Sequence, residues 1–298
     1  MRGARLTVLA AAGVLALAGC GASTAPGAAT PSTTSAAPAA SATGTEPAVD
    51  VAGAAWEHVH NLAFDGDALL LGTHQGLYRQ VPGQQPELIS DTPFDAMGLT
   101  YDGQQWLASG HPAPGDELPS DLGLRASPDG RTWTTLSLAG EVDFHRLAAS
   151  GTTVMGIPAH GDTLLRSTDA GATWTRLDNP GVFDLAVDPV DPTRAVATTQ
   201  SGPISSQDQG VSWVPLPAAP LIAFISWTPS GLLGLAPDGA VMASTDAGAT
   251  WQTRGSVGGQ PAALAVSADN VAALVGDRVV HSQDGGKTFS VRISGLSH

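Results

Sequence analysis

Histidine is spread unevenly along this chain of 298 residues: of eight, six stand between positions 58 and 160, namely His58, His60, His74, His111, His145 and His160. Aligning the short apolar runs on Leu62, Leu99, Leu147, Leu185 and Leu264 puts His60, Met97, His145, Phe183 and Ala262 in one column, two residues ahead of each leucine. Alternation along a strand sets His58 on the side of His60, Asp95 on that of Met97 and Asp143 on that of His145, and turns Arg146 away from His145. Imidazole nitrogens and a thioether sulfur suit a late first-row transition ion, Cu(I) being favoured by the sulfur and zinc by imidazole alone. The expected metal ligands are His58, His60, His74, Met97, His111 and His145, with copper favoured and zinc the alternative. Asp95 and Asp143 admit two roles. They are the carboxylate pair of a glycosidase, with Trp56 or Trp106 as a sugar platform, or they orient His58 and His145 by hydrogen bonding. The plain alternative is that each histidine is a satisfied polar residue of a channel wall.

The elements that must position these side chains follow from self-similarity. Ser127–Trp133, Ser167–Trp174, Ser206–Trp213, Ser244–Trp251 and Ser282–Phe289 share a Ser-X-Asp start, a central Gly and an aromatic end. Their aromatic ends are 41, 39, 38 and 38 residues apart by count from the sequence, the length of a four-stranded propeller blade. Upstream of each lies an apolar inner strand: Phe94–Thr100, Phe144–Ala149, Val182–Val187, Leu221–Trp227 and Ala262–Val266. A sixth unit starts at Val59–Phe64, where Val81–Gln85 replaces the Ser-X-Asp turn. Residues 56–298 divide into six units of about 40, so the spacing predicts an all-β, six-bladed β-propeller, with Val49–Ala54 clasping the last blade to leave no open edge. The second strand of each blade returns to the start of the first, which brings His74, His111 and His160 to the mouth where His60, Met97 and His145 stand. Blades four to six offer Phe183, Ala223, Ala262 and Gln200 there, so the fold itself does not demand histidine. The insertion Gly110–Gly123 leaves the same face, as a cover for the mouth or as a solvated Pro-rich loop with Asp116, Glu117 and Asp121 as surface charges.

The Ser-X-Asp pattern resembles the Asp-box, or BNR repeat, of sialidases, sortilin-type receptors and photosystem assembly factors. The resemblance implies a hairpin between third and fourth strands, on the rim away from the functional face. Asp129, Asp169, Asp208, Asp246 and Asp284 are then structural, accepting turn N–H groups, with the aromatic packed between blades. The combination His58-Val-His60, Asp95-Ala-Met97-Gly98, Ser109-Gly-His111-Pro112 and Asp143-Phe-His145 further resembles an actinobacterial and bacillar lipoprotein family labelled glycosylhydrolase or exo-α-sialidase-like. A sialidase needs three convergent arginines, a tyrosine nucleophile beside a glutamate, and an acidic proton donor. The only tyrosines are Tyr78 and Tyr101, early in the chain, and Arg125 and Arg166 fall on third strands. That catalytic set is not met.

Arg2 and Arg5 precede an apolar run from Leu6 to Ala18, too short to span hydrocarbon, which ends in Leu17-Ala18-Gly19-Cys20. This resembles the bacterial lipobox and implies acylation of Cys20 and an outward-facing, lipid-anchored protein at the cell membrane. From Gly21 to Asp50, 27 of 30 residues are Ala, Ser, Thr, Pro or Gly, too little apolar surface to fold. The expected organisation is a signal peptide over 1–19, acylated Cys20 and a tether to residue 50, and a propeller over 51–298. A formal charge of −14 without a basic cluster excludes nucleic acid as a partner, and the single cysteine excludes internal disulfides and Cys-rich zinc or iron–sulfur sites. No nucleotide, flavin or haem is expected. The favoured function is extracytoplasmic binding of copper, or of another metal or small ligand, at the mouth of blades one to three. The alternatives are a glycoside hydrolase and a scaffold that docks a protein partner.

Overall fold

The computed structural model describes residues 47–53, 58–160 and 162–296. The lipobox with Cys20, most of the tether, and Trp56 lie outside them. Every regular element among the described residues is a strand. They form six sheets, each built on four consecutive antiparallel strands ordered first to fourth from the axis outward. Each first strand also packs on the first strand of the next blade, and blade six packs on blade one, so the chain is a six-bladed β-propeller.

Second strands such as Ala68–Thr73 and Asn270–Val275 have neighbouring blades on both faces, and they read as continuous apolar runs rather than alternating ones. The core is accordingly a set of layers between blades: Leu70, Leu77, Phe94, Ala96 and Trp133 between one and two, and Val196, Ile222, Ile225 and Leu232 between four and five. Leu69, Leu71 and Leu77 are wholly buried, each contributing about 1.5–3 kcal/mol of transfer free energy. The fourth strands of blades one to five are mostly exposed, and one holds Pro215 at its edge, where no ladder N–H is needed.

The ring closes at blade six, which has a fifth strand. Val49 and Asp50 pair in parallel with Ile293 and Ser294, and Val51 N–H donates to the Ser294 carbonyl at 2.9 Å. The propeller thus takes in residues ahead of position 51. Across the same seam the buried Arg292 side chain donates to Gln80 Oε1 at 2.6 Å and to the Asp67 carbonyl at 2.8 Å. Gln80 stands where other blades carry the Ser of the Ser-X-Asp turn, and its amide also donates to the Val81 and Gln84 carbonyls. In blade five the first strand begins at Phe224 rather than Leu221, and Leu221 is exposed.

Candidate metal centre

The aligned column is a set of β-bulges, one in the first strand of every blade but the fifth. The first strand slips register between Val59 and Asn61, Ala96 and Gly98, Phe144 and Arg146, Val182 and Asp184, and Pro261 and Ala263. The extra residues are His60, Met97, His145, Phe183 and Ala262. A bulge sets two consecutive residues against one partner and re-aims their side chains. His145 and Arg146 therefore both line the central cavity of about 290 Å³, together with His60, Asn61, Met97 and Asp184. This corrects the expectation that Arg146 points away from His145, which assumed unbroken alternation.

In blades one, three and four the second residue of the bulge ties its blade to the next. Asn61 Nδ2 donates to the Ala96 and Met97 carbonyls at 2.9 and 3.0 Å. At Gly98 the same position carries no side chain, because a Cβ would come within 2.5 Å of the Phe144 carbonyl oxygen. Arg146 reaches Asp184 at 3.8 Å and lies 5.9 and 5.6 Å from the Phe183 and Phe224 rings. Asp184 accepts from Ile225 N–H at 2.8 Å. Burial pushes its carboxyl up to about 6, against the opposing pull of Arg146 and of the Ile225 and Leu185 N–H groups.

At the rim of the cavity the histidines and aspartates gather into two sets, His60, His74 and Asp95, and His111, Asp143 and His145, each offering ligand atoms within 4.8 Å of one another. In the second set Asp143 Oδ2 lies 2.8 Å from His145 Nε2 and 3.1 Å from His111 Nε2, with the aspartate side chain 2% exposed. Neither Asp143 oxygen has a hydrogen bond of acceptable geometry. His111 Nδ1 lies 2.9 Å from the Ser120 carbonyl, which can only accept, so the hydrogen is on Nδ1 and Nε2 of the neutral ring is a lone pair. A lone pair facing a carboxylate oxygen needs a cation between them, a second ring proton or a metal ion. Burial pushes the His111 imidazole down, while the Ser120 carbonyl and then Asp143, Asp95 and Asp121 push it up, leaving it above its ordinary value.

In the first set His60 Nε2 and Asp95 Oδ1 are 3.1 Å apart, and both atoms are buried without a hydrogen bond. The His60 and His74 ring centroids are 4.6 Å apart, and His58 lies 5.0 and 5.7 Å from them. His58 reaches its neighbours from a left-handed backbone conformation, φ 48°, just ahead of the strand, not by alternation. Ligands about 2.0–2.1 Å from a common ion and at right to tetrahedral angles stand about 2.8–3.4 Å apart, the spacing of the closest N–O pairs in both sets.

The six expected ligands are thus divided rather than pooled. Met97 is in the cavity lining and in neither set, His160 is exposed beyond the second strand of blade three, and Asp95 and Asp143 each stand with their own histidines instead of as a carboxylate pair. The aspartates were legible in the sequence only as partners, not as members of the donor sets. The insertion Gly110–Gly123 does not line the cavity. It folds onto the connection between blades two and three, through Gly140 N–H to the Asp121 carbonyl, and so delivers Ser120 to His111. Asp116 and Glu117 are exposed. Gly110 sits against the bulge of its own blade, where any Cβ would strike the Asp95 carbonyl. Among the described residues Arg146 is the one arginine that lines the cavity; Arg125 is buried against the Phe94 ring, so three described arginines do not converge there.

The Ser-X-Asp turns join third to fourth strands and lie, by strand direction, at the end of the ring opposite the histidines. In each, the Ser hydroxyl donates to Asp and accepts a glycine N–H, as Ser167 does with Asp169 at 2.7 Å and Gly171 at 2.8 Å. Hydrogen bonds from Thr173, Ser212 and Thr250, first from the side-chain hydroxyl and then from the backbone, pull Asp169, Asp208 and Asp246 down to about 2.

No family model and no curated relative matches the chain. Among solved structures it is similar to a chain of a nidogen/laminin complex, with TM-score 0.59 and 14% identity over 76% of this chain and 94% of that one. It is similar to the GH74 xyloglucanase of Xanthomonas campestris, with TM-score 0.53 and 18% identity over 79% of this chain and 45% of that one. A third similar chain is YCF48 bound to a D1 peptide, at TM-score 0.49 and 19% identity over 79% of this chain and 83% of that one. At these identities the likeness to the first two establishes the β-propeller fold alone.

Proposed function

We propose that this chain is a lipid-anchored, outward-facing propeller that binds a late first-row transition ion at the mouth of blades one to three, copper first and zinc as the alternative. One observation carries the reading: a buried carboxylate, Asp143, keeps both oxygens without a hydrogen bond while two imidazole nitrogens stand 2.8 and 3.1 Å away. A buried ionised group left in that state is costly unless a cation joins it. The Ser120 carbonyl already fixes the His111 tautomer that presents Nε2, an arrangement common among metal-bound histidines. The aspartates make the donor sets harder than imidazole and thioether alone, which favours Cu(II) or Zn(II) as the resting ion. Met97, in the lining beside His60 and His145, is the soft donor for Cu(I).

Elemental analysis of the full-length protein after loading with Cu(II) or Zn(II) and gel filtration tests this. Wild type should retain metal, and Asp143→Asn, nearly isosteric, should lower affinity at least tenfold. A wild-type protein that emerges metal-free sinks the reading. Met97→Leu should weaken Cu(I) binding and leave Zn(II) binding within about twofold, since it removes sulfur and keeps volume. Cys20→Ala should move the protein out of the membrane fraction. The hydrolase reading has one observation in its favour: Asp184 is a cavity-lining carboxyl raised to about 6, a value fit for a general acid. Turnover of aryl glycosides by wild type and its loss in Asp184→Asn would support it.

A further inference from the structure

We propose that the mouth holds two metal ions at once, in two neighbouring and non-equivalent sites, one at the junction of blades one and two and the other at the junction of blades two and three. The inference rests on the metal-binding reading above and adds number and arrangement to it. The two donor sets share no residue, so filling one removes no ligand from the other. They are built by one rule applied twice. A histidine at or just past the end of a second strand, His74 or His111, meets an aspartate two residues ahead of the next blade's bulge, Asp95 or Asp143. The third donor is a bulge residue in both sets, but from different blades. His60 comes from the blade that supplies His74, whereas His145 comes from the blade that supplies Asp143.

Blade two belongs to both sites. Asp95 and His111 are direct register partners on its first two strands, and such partners have Cα atoms only about 4.5–5.5 Å apart. Each site brings one carboxylate to one divalent cation, so the pair adds positive charge in step with the two negative groups already at the rim. A single ion drawing on all six residues would have to lie between sets whose closest contacts are internal, 3.1 Å in the first and 2.8 and 3.1 Å in the second. The sites also differ in surroundings. The first has a further imidazole, His58, against His60 and His74, with His74 exposed. The second is anchored on the almost inaccessible Asp143. The Asp143 site should therefore fill first and release its ion more slowly.

The experiment is a titration of the metal-free, full-length protein with CuCl2, read as bound copper per chain by elemental analysis and as heat by calorimetry. Wild type should take two equivalents in two resolved steps, Asp95→Asn should keep the tighter one, Asp143→Asn the weaker, and, at free copper about ten times the wild-type Kd, the double variant less than 0.2 by a ~100-fold loss at each site. His160→Ala should still take two. Far-ultraviolet dichroism and melting confirm that each variant is folded. One equivalent in wild type, or two that survive both substitutions, overturns the two-site arrangement and leaves metal binding itself standing; no copper in wild type overturns both.

Discussion

Two buried side chains at the residue scale, Asp184 and His281, are displaced in opposite senses. Burial pushes the Asp184 carboxyl up to about 6; burial, and then Arg292, pushes the His281 imidazole down to about 4. Between about pH 4 and 6 the folded chain holds a proton on Asp184 that the unfolded chain releases, so this group makes stability fall as pH rises. Over the same window the unfolded chain binds a proton on His281 that the folded chain refuses, so this group makes stability rise with pH. The two slopes oppose each other. The Ser-X-Asp carboxylates at about 2 contribute stability that is constant above about 4 and is lost only on further acidification. Melting temperatures of metal-free Asp184→Asn should therefore climb from pH 4 to 6 more steeply than those of wild type, and those of His281→Asn should fall; profiles parallel to wild type would show that neither group titrates as its burial requires. What was legible at this scale was the column, because counting back from Leu62, Leu99 and Leu147 is unaffected by what the backbone does in between. Arg146 was misread because one extra residue in the strand reverses every facing that alternation assigns.

At the scale of elements, blade length and strand order follow from the spacing of the Ser-X-Asp turns, and the structure departs from them mainly at strand ends. The division of the donors was not legible, since it depends on how closely the second strand of one blade approaches the start of the next blade's first strand, a distance between blades that periodicity along a strand does not encode. The turns and the donor sets sit at opposite ends of the strands, which separates stability from binding. Trp133 is 8% exposed, its ring 5.5 Å from Phe94 of its own blade and its Nε1 donating to the Gly130 carbonyl at 3.1 Å. Trp133→Ala should destabilise by about 3–5 kcal/mol, as removal of a large buried aromatic does. Metal stoichiometry of the folded fraction should be unchanged. A denaturant titration and a copper titration on the same preparation check this, and loss of copper with stability intact would place the turns at the functional site.

For the whole molecule the decisive feature is that a propeller is a ring, and a ring has one seam. Here the seam is fastened twice. The Val49–Asp50 strand adds to the edge of blade six, with Val49 and Val51 buried against Leu62, Leu71 and Ile293. Independently, Arg292 reaches from blade six to Gln80 and to the Asp67 carbonyl in blade one. Val49→Asp puts a carboxylate into that cluster, and Arg292→Met leaves Gln80 Oε1 and the Asp67 carbonyl without that donor; each should cost about 2–4 kcal/mol. Once one fastening is lost and the seam opens, the second has less to hold. The double variant should therefore lose clearly less than the sum of the single losses, by about 1 kcal/mol or more of coupling. Trp133→Ala, in blade two and away from the seam, combined with Arg292→Met should be additive within about 0.5 kcal/mol. Denaturant midpoints of the four single, double and parent proteins in each cycle decide the matter: additivity at the seam would mean that blades six and one are held together by their packed first strands, with the added strand and Arg292 acting as separate local contacts.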